Sequence, residues 1–156
     1  MGVWLGVVNG KYLLGTGPGI RGVWWDVENA NPRVDSFDQL KVYQAACRLE
    51  AAVFDHSKGW PREEIFALTS QIRRSSRSVG ANLAEAWAKR RYPAHFLSKL
   101  TDADAELQET LHWLMRAQAY GYLSGEQFTA LQGNAREVGR SLGAMMQSRH
   151  RWSSPA

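Results

Sequence analysis

The feature that most constrains this chain is a helical spacing of apolar residues, which begins near residue 36 and continues to about residue 147. Over four successive stretches, apolar side chains return every three or four residues, which places them on one face of an α-helix. Short connections rich in Gly, Pro and Ser separate the stretches. Because short connections make consecutive helices antiparallel neighbours, the pattern predicts an all-α fold, an antiparallel up-down-up-down four-helix bundle.

Capping residues and prolines set the limits of these helices, at about 36–57, 62–89, 93–120 and 124–147. A Ser-x-x-Gln capping box is predicted at Ser36 and again at Ser124. Gly121 suits the position just after the end of the third helix. The expected core positions are Val42, Ala46, Leu49, Val53, Ile65, Leu68, Ile72, Val79, Leu83, Ala86, Phe96, Leu100, Ala103, Leu107, Leu111, Leu114, Phe128, Leu131, Ala135, Val138, Leu142 and Met145. Four further residues widen the apolar stripe of the first helix: Leu40, Tyr43, Cys47 and Phe54.

The residues before this pattern have a different composition, since 7 of the 14 glycines fall within the first 36 residues. We therefore predict two parts, a non-helical N-terminal extension (1–35) and the four-helix bundle domain (36–150). Asn9-Gly10 between two apolar runs is typical of a β-hairpin with a type I′ turn. Three interpretations stay open: a docked hairpin, a disordered tail, or residues outside the native product because the start codon is assigned too far upstream.

The extension also contains a G-x-G-x-x-G run from Gly17 to Gly22. A dinucleotide site needs this loop to follow a strand and to open a helix. The residues that follow show no helical periodicity and are interrupted by Pro32, so we reject a dinucleotide-binding function.

Cysteine count and hydropathy predict where the protein resides. The only cysteine, Cys47, cannot form an internal disulfide, which fits a reducing compartment. No apolar run reaches the roughly 20 residues that cross a bilayer, and the first residues lack the basic start and the cleavage site of a signal peptide. We expect a cytoplasmic protein that does not enter a membrane.

The positive charge is concentrated in one helix. The first 36 residues hold three basic and three acidic residues, so the net charge of +4 arises from the remainder. Residues 71–91 contain six cations against the single acid Glu85. Such a local excess favours binding to phosphates of RNA or DNA. The candidate nucleic-acid-binding residues are Arg73, Arg74, Arg77, Lys89, Arg90 and Arg91. As an alternative, Arg74 pairs with Glu85 or a neighbouring subunit, and the last three cations complement the helix dipole.

A polar stripe on the second helix predicts a second contact surface. Gln71, Ser78, Asn82 and Glu85 share one flank of the apolar face when the chain advances about 100° per residue. Short polar side chains suit specific hydrogen bonds, so we predict that these four residues form a subunit interface of a homo-oligomer. A solvated face is the alternative.

Metal and catalytic sites are not expected. Glu109 and His112 have the Glu-x-x-His spacing of di-metal bundles, but such sites need two pairs and inward orientation, whereas both residues point away from the predicted core. No nucleophile elbow or phosphate-binding loop is present. The acidic residues of the third helix are interpreted as a solvated face or as partners of the arginines on helix two; they are Asp102, Asp104, Glu106 and Glu109. We therefore expect a protein that is not an enzyme and uses no cofactor.

Several segments resemble a bacterial family of four-helix bundle proteins first noticed as products of intervening sequences in large-subunit ribosomal RNA genes. The resemblance covers about residues 36–147. It is strongest in the second helix, at Leu68-Thr69, Gln71-Ile72-Arg73-Arg74, Ser78, Ala81-Asn82 and Ala84-Glu85. Family members usually carry glycine after that Ala-Glu pair, where this chain has Ala86-Trp87.

The resemblance implies a four-helix bundle that assembles into a homopentameric ring and has no catalytic activity. The accessory protein of diversity-generating retroelements is similar, which implies binding to nucleic acid and to a reverse transcriptase. The combined prediction is a non-enzymatic oligomeric bundle that acts as a nucleic-acid-binding or accessory scaffold protein. The alternative is a protein-only scaffold whose arginines serve subunit contacts.

Overall fold

The computed structural model describes residues 4–8, 11–15, 24–25 and 34–152, with side chains described from residue 34 onward. The chain divides into two compact units, Met1–Arg33 and Val34–Ala156. The Asn9-Gly10 turn and the Gly17–Gly22 run lie outside the described residues.

The described residues of the N-terminal unit form three short strands, β1 (Trp4–Val8), β2 (Lys11–Gly15) and β3 (Trp24–Trp25). β1 and β2 pair antiparallel with Val8 opposite Lys11, and β3 pairs antiparallel with the other edge of β2.

The second unit is built from four long helices, as the apolar periodicity predicts. They are α1 (Lys41–Ser57), α2 (Leu68–Lys89), α3 (Pro93–Ala119) and α4 (Gly125–Gln147), followed by one further turn, α5 (Arg149–Trp152). Each long helix packs against two of the other long helices: α1 against α2 and α4, and α3 against α2 and α4, with the most extensive contact between α2 and α3. The predicted all-α four-helix bundle is confirmed.

The core lies between the four helices and consists almost wholly of aliphatic side chains. Phe96 of α3 is the largest fully buried side chain. Of the expected core positions all but three are buried; Leu111 and Phe128 are partly covered, and Ile65 is 45% exposed. Of the four residues expected to widen the first stripe only Leu40 is buried, while Tyr43 and Cys47 are partly covered and Phe54 is exposed. A polar contact also crosses the core. The buried hydroxyls of Ser75 on α2 and Thr110 on α3 are hydrogen-bonded at 2.9 Å.

The first predicted capping box is wrong. Ser36 forms no capping hydrogen bond, and Gln39 accepts one from the backbone N–H of Asp35 through its Oε1 at 3.0 Å. A short 3₁₀ turn, Phe37–Gln39, is followed by Leu40 in an extended conformation (ψ 124°), so α1 begins only at Lys41. Leu40 is buried, and its burial in the core favours this break over a continuous helix.

The second helix also begins later than predicted. Residues Arg62–Glu64 form a 3₁₀ turn, and Ala67 departs from helical geometry at φ −115° and ψ −112°. The Glu64 carboxylate accepts the backbone N–H of Leu68 at 3.2 Å and so caps the true start of α2. Ile65 lies outside α2, which explains why it is not in the core.

The junction between α3 and α4 follows the prediction. Gly121 has a φ of +78°, and its N–H donates to Gln118 while the N–H of Tyr122 donates to Ala117 at 2.8 Å. This pair of bonds is a Schellman motif, which requires a left-handed residue and therefore favours glycine. The second capping box, at Ser124 and Gln127, is formed in both directions.

No described helix combines the length and the apolar composition that a membrane span requires.

Candidate nucleic-acid interface

The six predicted cations of helix two form two separate groups in the structure. The arginine group comprises Arg73, Arg74 and Arg77 in the first half of α2, and the turn group comprises Lys89, Arg90 and Arg91, where α2 ends. Twelve residues separate Arg77 from Lys89, which is about 18 Å along a helix axis. The two groups therefore form two separate surfaces.

Arg73 and Arg77 lie beside each other against α1. Both guanidinium groups stand over the ring of Phe54, at 4.8 and 5.9 Å from its centroid. Arg73 Nε donates to the hydroxyl of Ser57 at 2.7 Å, and Arg77 forms an ion pair with Glu50 at 3.5 Å. The helical spacing thus brings the two arginines together, and α1 supplies an aromatic ring and a carboxylate as their neighbours.

Arg74 faces the opposite way, toward α3. It forms ion pairs with Glu106 at 3.4 Å and with Glu109, so the carboxylates of α3, and not Glu85, are its partners. Glu109 also accepts from the indole Nε1 of Trp113 at 3.1 Å. The hydrogen bond from Arg74 is the main cause that lowers the pKa of Glu109, and the bond to Glu109 in turn raises the pKa of Arg74.

The arginine group lines a surface depression of about 480 Å³ along the start of α2. The remaining lining residues are Ile65, Thr69, Ser70 and Ser78, so no carboxylate lines it. The carboxylates that pair with Arg74 and Arg77 approach from the α3 and α1 sides, which reduces the net charge of this surface.

The turn group has a different electrostatic environment. Within the described residues, Lys89, Arg90 and Arg91 form no ion pair, because the nearest acid on α2, Glu85, is bound by Lys99 at 2.9 Å. The hydrogen bond from Lys99 is the main cause that lowers the pKa of Glu85, and the charge of Lys89 contributes less. Three positive charges with no paired carboxylate therefore stand together at this end of the bundle.

Aromatic side chains accompany the turn group. The guanidinium of Arg90 lies over the indole of Trp87, 4.1 Å from the ring centroid, and donates to its carbonyl oxygen at 2.8 Å. Tyr92, immediately after the turn group, is 65% exposed. Its backbone is fixed in both directions, since its N–H donates to Lys89 and its carbonyl accepts from Phe96, each at 2.9 Å.

The polar stripe predicted as a subunit interface lies along the seam between α2 and α3. Lys99 of α3 donates to Asn82 Oδ1 at 3.3 Å and pairs with Glu85, and Asn82 donates to the carbonyl of Ser78 at 3.0 Å. Gln71 is partly covered. Contacts within the bundle thus involve Asn82 and Glu85, and the interface role of the four residues stays a prediction.

An exposed apolar surface precedes α2. We call it the apolar step, and it consists of Ile65 and Phe66, which are 45% and 93% exposed. Phe54 of α1, beside Arg73, is a further exposed apolar side chain. A phenylalanine with almost its whole surface in water is unusual, and contiguous exposed apolar side chains mark contact sites.

Metal-ligand geometry is absent from the described part of the chain, where no three His, Cys, Asp or Glu side chains come together as a binding site. Glu109 is held by Arg74 and Trp113.

Trp87, Tyr92 and Phe66 are not among the site residues that the sequence predicts. Trp87 and Tyr92 lie within two positions of Lys89–Arg91 in the sequence, and this proximity is the signal that could have found them. Surfaces that bind single-stranded nucleic acid combine aromatic and basic residues. Phe66 carried no comparable signal, since its exposure depends on the helix break at Ala67.

Comparison with known proteins identifies relatives of this four-helix bundle. A model of the family described as 23S rRNA-intervening sequence protein matches residues 38–144. The crystal structure of a protein of unknown function from the S23 ribosomal protein family of Bacteroides thetaiotaomicron VPI-5482 is similar, with a TM-score of 0.62 and 27% sequence identity. That alignment covers 68% of this chain and 95% of the other. No curated protein sequence matches the chain. Because the family match covers more than half of the chain and the fold agrees with it, the chain belongs to the 23S rRNA-intervening sequence protein family.

Proposed function

We propose that this protein is a non-enzymatic accessory scaffold that self-associates and binds nucleic acid through the cations of α2. The observation that carries the proposal is the turn group, whose three cations have no carboxylate partner among the described residues. Unpaired cations can replace the counterions around phosphates, which is the main source of affinity for nucleic acids. The arginine group lies about 18 Å further along the helix axis and supplies a second, separate cationic surface.

The second candidate is a protein-only oligomeric scaffold whose arginines serve subunit contacts, and it gains support from whatever reduces the charge available to phosphate. Arg74 and Arg77 are engaged with Glu106, Glu109 and Glu50, all within one subunit. Such pairs position arginines for packing and leave less charge for phosphate. If the turn group does not bind nucleic acid, its cations are available for an acidic protein surface.

Titration of the whole protein with labelled single-stranded RNA and DNA tests the first candidate. At about 50 mM salt we expect binding, and at about 200 mM salt a loss of at least tenfold, because several phosphate contacts release counterions. The charge-removal variant is Lys89→Gln/Arg90→Gln/Arg91→Gln, which we expect to weaken binding and to reduce the slope against salt by roughly one per cation lost.

A matched control variant separates the effect of the turn group from the effect of the net charge of the protein. Arg62→Gln/Arg136→Gln/Arg140→Gln also removes three positive charges, at exposed positions remote in sequence from the turn group. We expect it to bind nearly as wild type. Equal weakening by both variants would place the interface elsewhere, and absence of binding at low salt would leave the protein-only scaffold as the remaining candidate.

Self-association is supported by the apolar step. The family resemblance implies a homopentameric ring, and exposed Ile65 and Phe66 supply apolar surface that a second copy of this chain can cover. A ring would repeat the turn group around its symmetry axis. Repetition of a basic site multiplies the field felt by a polyanion.

A further inference from the structure

We propose that the junction of α2 and α3 recognises single-stranded nucleic acid by stacking an unpaired base on Tyr92, next to the cations of the turn group. This inference rests on the proposed function and names its substrate class.

Accessibility distinguishes Tyr92 from the other aromatic residues near the cations. Its side chain is 65% exposed, whereas Trp87 is partly covered and already lies beneath Arg90. The His95 ring is steeply inclined to the Tyr92 ring, with centroids 6.0 Å apart and 71° between the ring planes. A neighbour at this angle covers at most one face of the Tyr92 ring and leaves the other face for a base, and one stacked base strengthens single-strand binding roughly 5- to 100-fold.

The backbone around Tyr92 is ordered by hydrogen bonds on both sides, to Lys89 and from Phe96. Pro93 begins α3 directly afterwards and restricts its own φ. The aromatic ring is therefore presented from a fixed turn, and little backbone entropy is lost when a ligand binds.

Charge and aromatic surface together select the kind of nucleic acid. Lys89 and Arg91 are exposed and directly precede Tyr92 in the sequence, so a phosphate backbone can contact them while one base lies on the ring. Bases in a duplex are stacked on each other and are not available to a side chain unless the helix opens. Single strands present free base faces, and stacking tolerates any base.

The test measures fluorescence anisotropy with a labelled single strand of mixed sequence, as RNA and as DNA, and with the same sequence as a duplex. We expect wild type to bind the single strand at least several-fold more tightly than the duplex. Tyr92→Ala should weaken single-strand binding roughly 5- to 100-fold and leave the salt slope unchanged. Tyr92→Phe should bind as wild type, because it retains the ring.

The control variant is Tyr120→Ala, which removes another exposed tyrosine at the far end of α3. Circular dichroism confirms that each variant is folded. If wild type binds but Tyr92→Ala does not differ from it, or the duplex binds as tightly as the single strand, stacking is overturned while the proposed function stands. If wild type binds neither form at low salt, the proposed function itself fails.

Discussion

At the scale of residues, equal charges differ in what they can do because their neighbours differ. Arg74 lies between two carboxylates of α3, whereas Arg91 has no paired carboxylate in the described chain. An arginine held in two ion pairs must give up those contacts before it binds a phosphate. Counting cations along a helix therefore overstates the charge that is available to a ligand.

The Arg74–Glu109 pair gives a pH-dependent prediction. Replacing Glu109 by Gln should lower the free energy of unfolding at pH 7 by about 0.5–1 kcal/mol, a value kept small because the two side chains are 49% and 33% exposed. The folded-state pKa of Glu109 is lowered from an unfolded value of about 4.3. Its contribution is thus present above that value and is lost as the pH falls through the folded-state pKa.

Urea unfolding of wild type and Glu109→Gln at pH 7 and near pH 3 measures this effect. The difference between the two proteins should shrink at the lower pH. Asp104→Asn is the control, because it removes a carboxylate of α3 that forms no ion pair with Arg74. A difference that grows on acidification would contradict the assigned role of the pair.

At the scale of elements, the helix ends depend on backbone geometry more than on composition. The α3–α4 junction combines the left-handed Gly121 with the reciprocal Ser124–Gln127 cap. The start of α1 has the same Ser-x-x-Gln letters but no cap, because buried Leu40 adopts an extended conformation. A local motif forms only where the packing of its neighbours permits it.

Two glycine substitutions test this interpretation. Gly121→Ala should lower the free energy of unfolding by about 1–2 kcal/mol, since an L residue is strained in the left-handed region at φ +78°. Gly133→Ala lies inside α4 with open space around its new methyl group and should raise stability by about 0.5–1 kcal/mol. Thermal and urea unfolding report both, and equal effects of the same sign would refute the Schellman assignment.

At the scale of the whole molecule, the bundle buries its apolar side chains well but leaves the apolar step uncovered. Phe66 is 93% exposed within the described part of the chain, and Ala67, which follows it, departs from helical geometry. Assembly of several copies would remove this surface from water, and burial of a phenylalanine contributes about 1.5–3 kcal/mol.

Light scattering of wild type should therefore give a mass several times that of one chain, and five times for the ring implied by the family resemblance. Phe66→Ser should shift the population toward the single chain. Met115→Ser is the control, since Met115 is an exposed apolar residue of α3 that is not part of the apolar step. A wild type that is monomeric at tens of micromolar would overturn the assembly.

Much of the fold was predictable because its determinants are local. The three- and four-residue spacing, Pro93, Gly121 and the Ser124 cap each act through neighbours in the chain, so the four helices and their order follow from the sequence. Errors fall at Ser36 and Arg62, where the start of a helix depends on what packs against it.

The candidate site was predictable only in part. Sequence alone determined the amphipathic helices, the concentration of six cations between residues 71 and 91, and the family signature on α2. Only the tertiary structure decided that α3 supplies carboxylates to Arg74, that Lys99 takes up Glu85, and that Tyr92 and Phe66 remain exposed. The physical reason is that the spacing of apolar residues determines which face of its own helix a residue occupies. Charge pairing and exposure depend on the side chains that a second helix brings to that face.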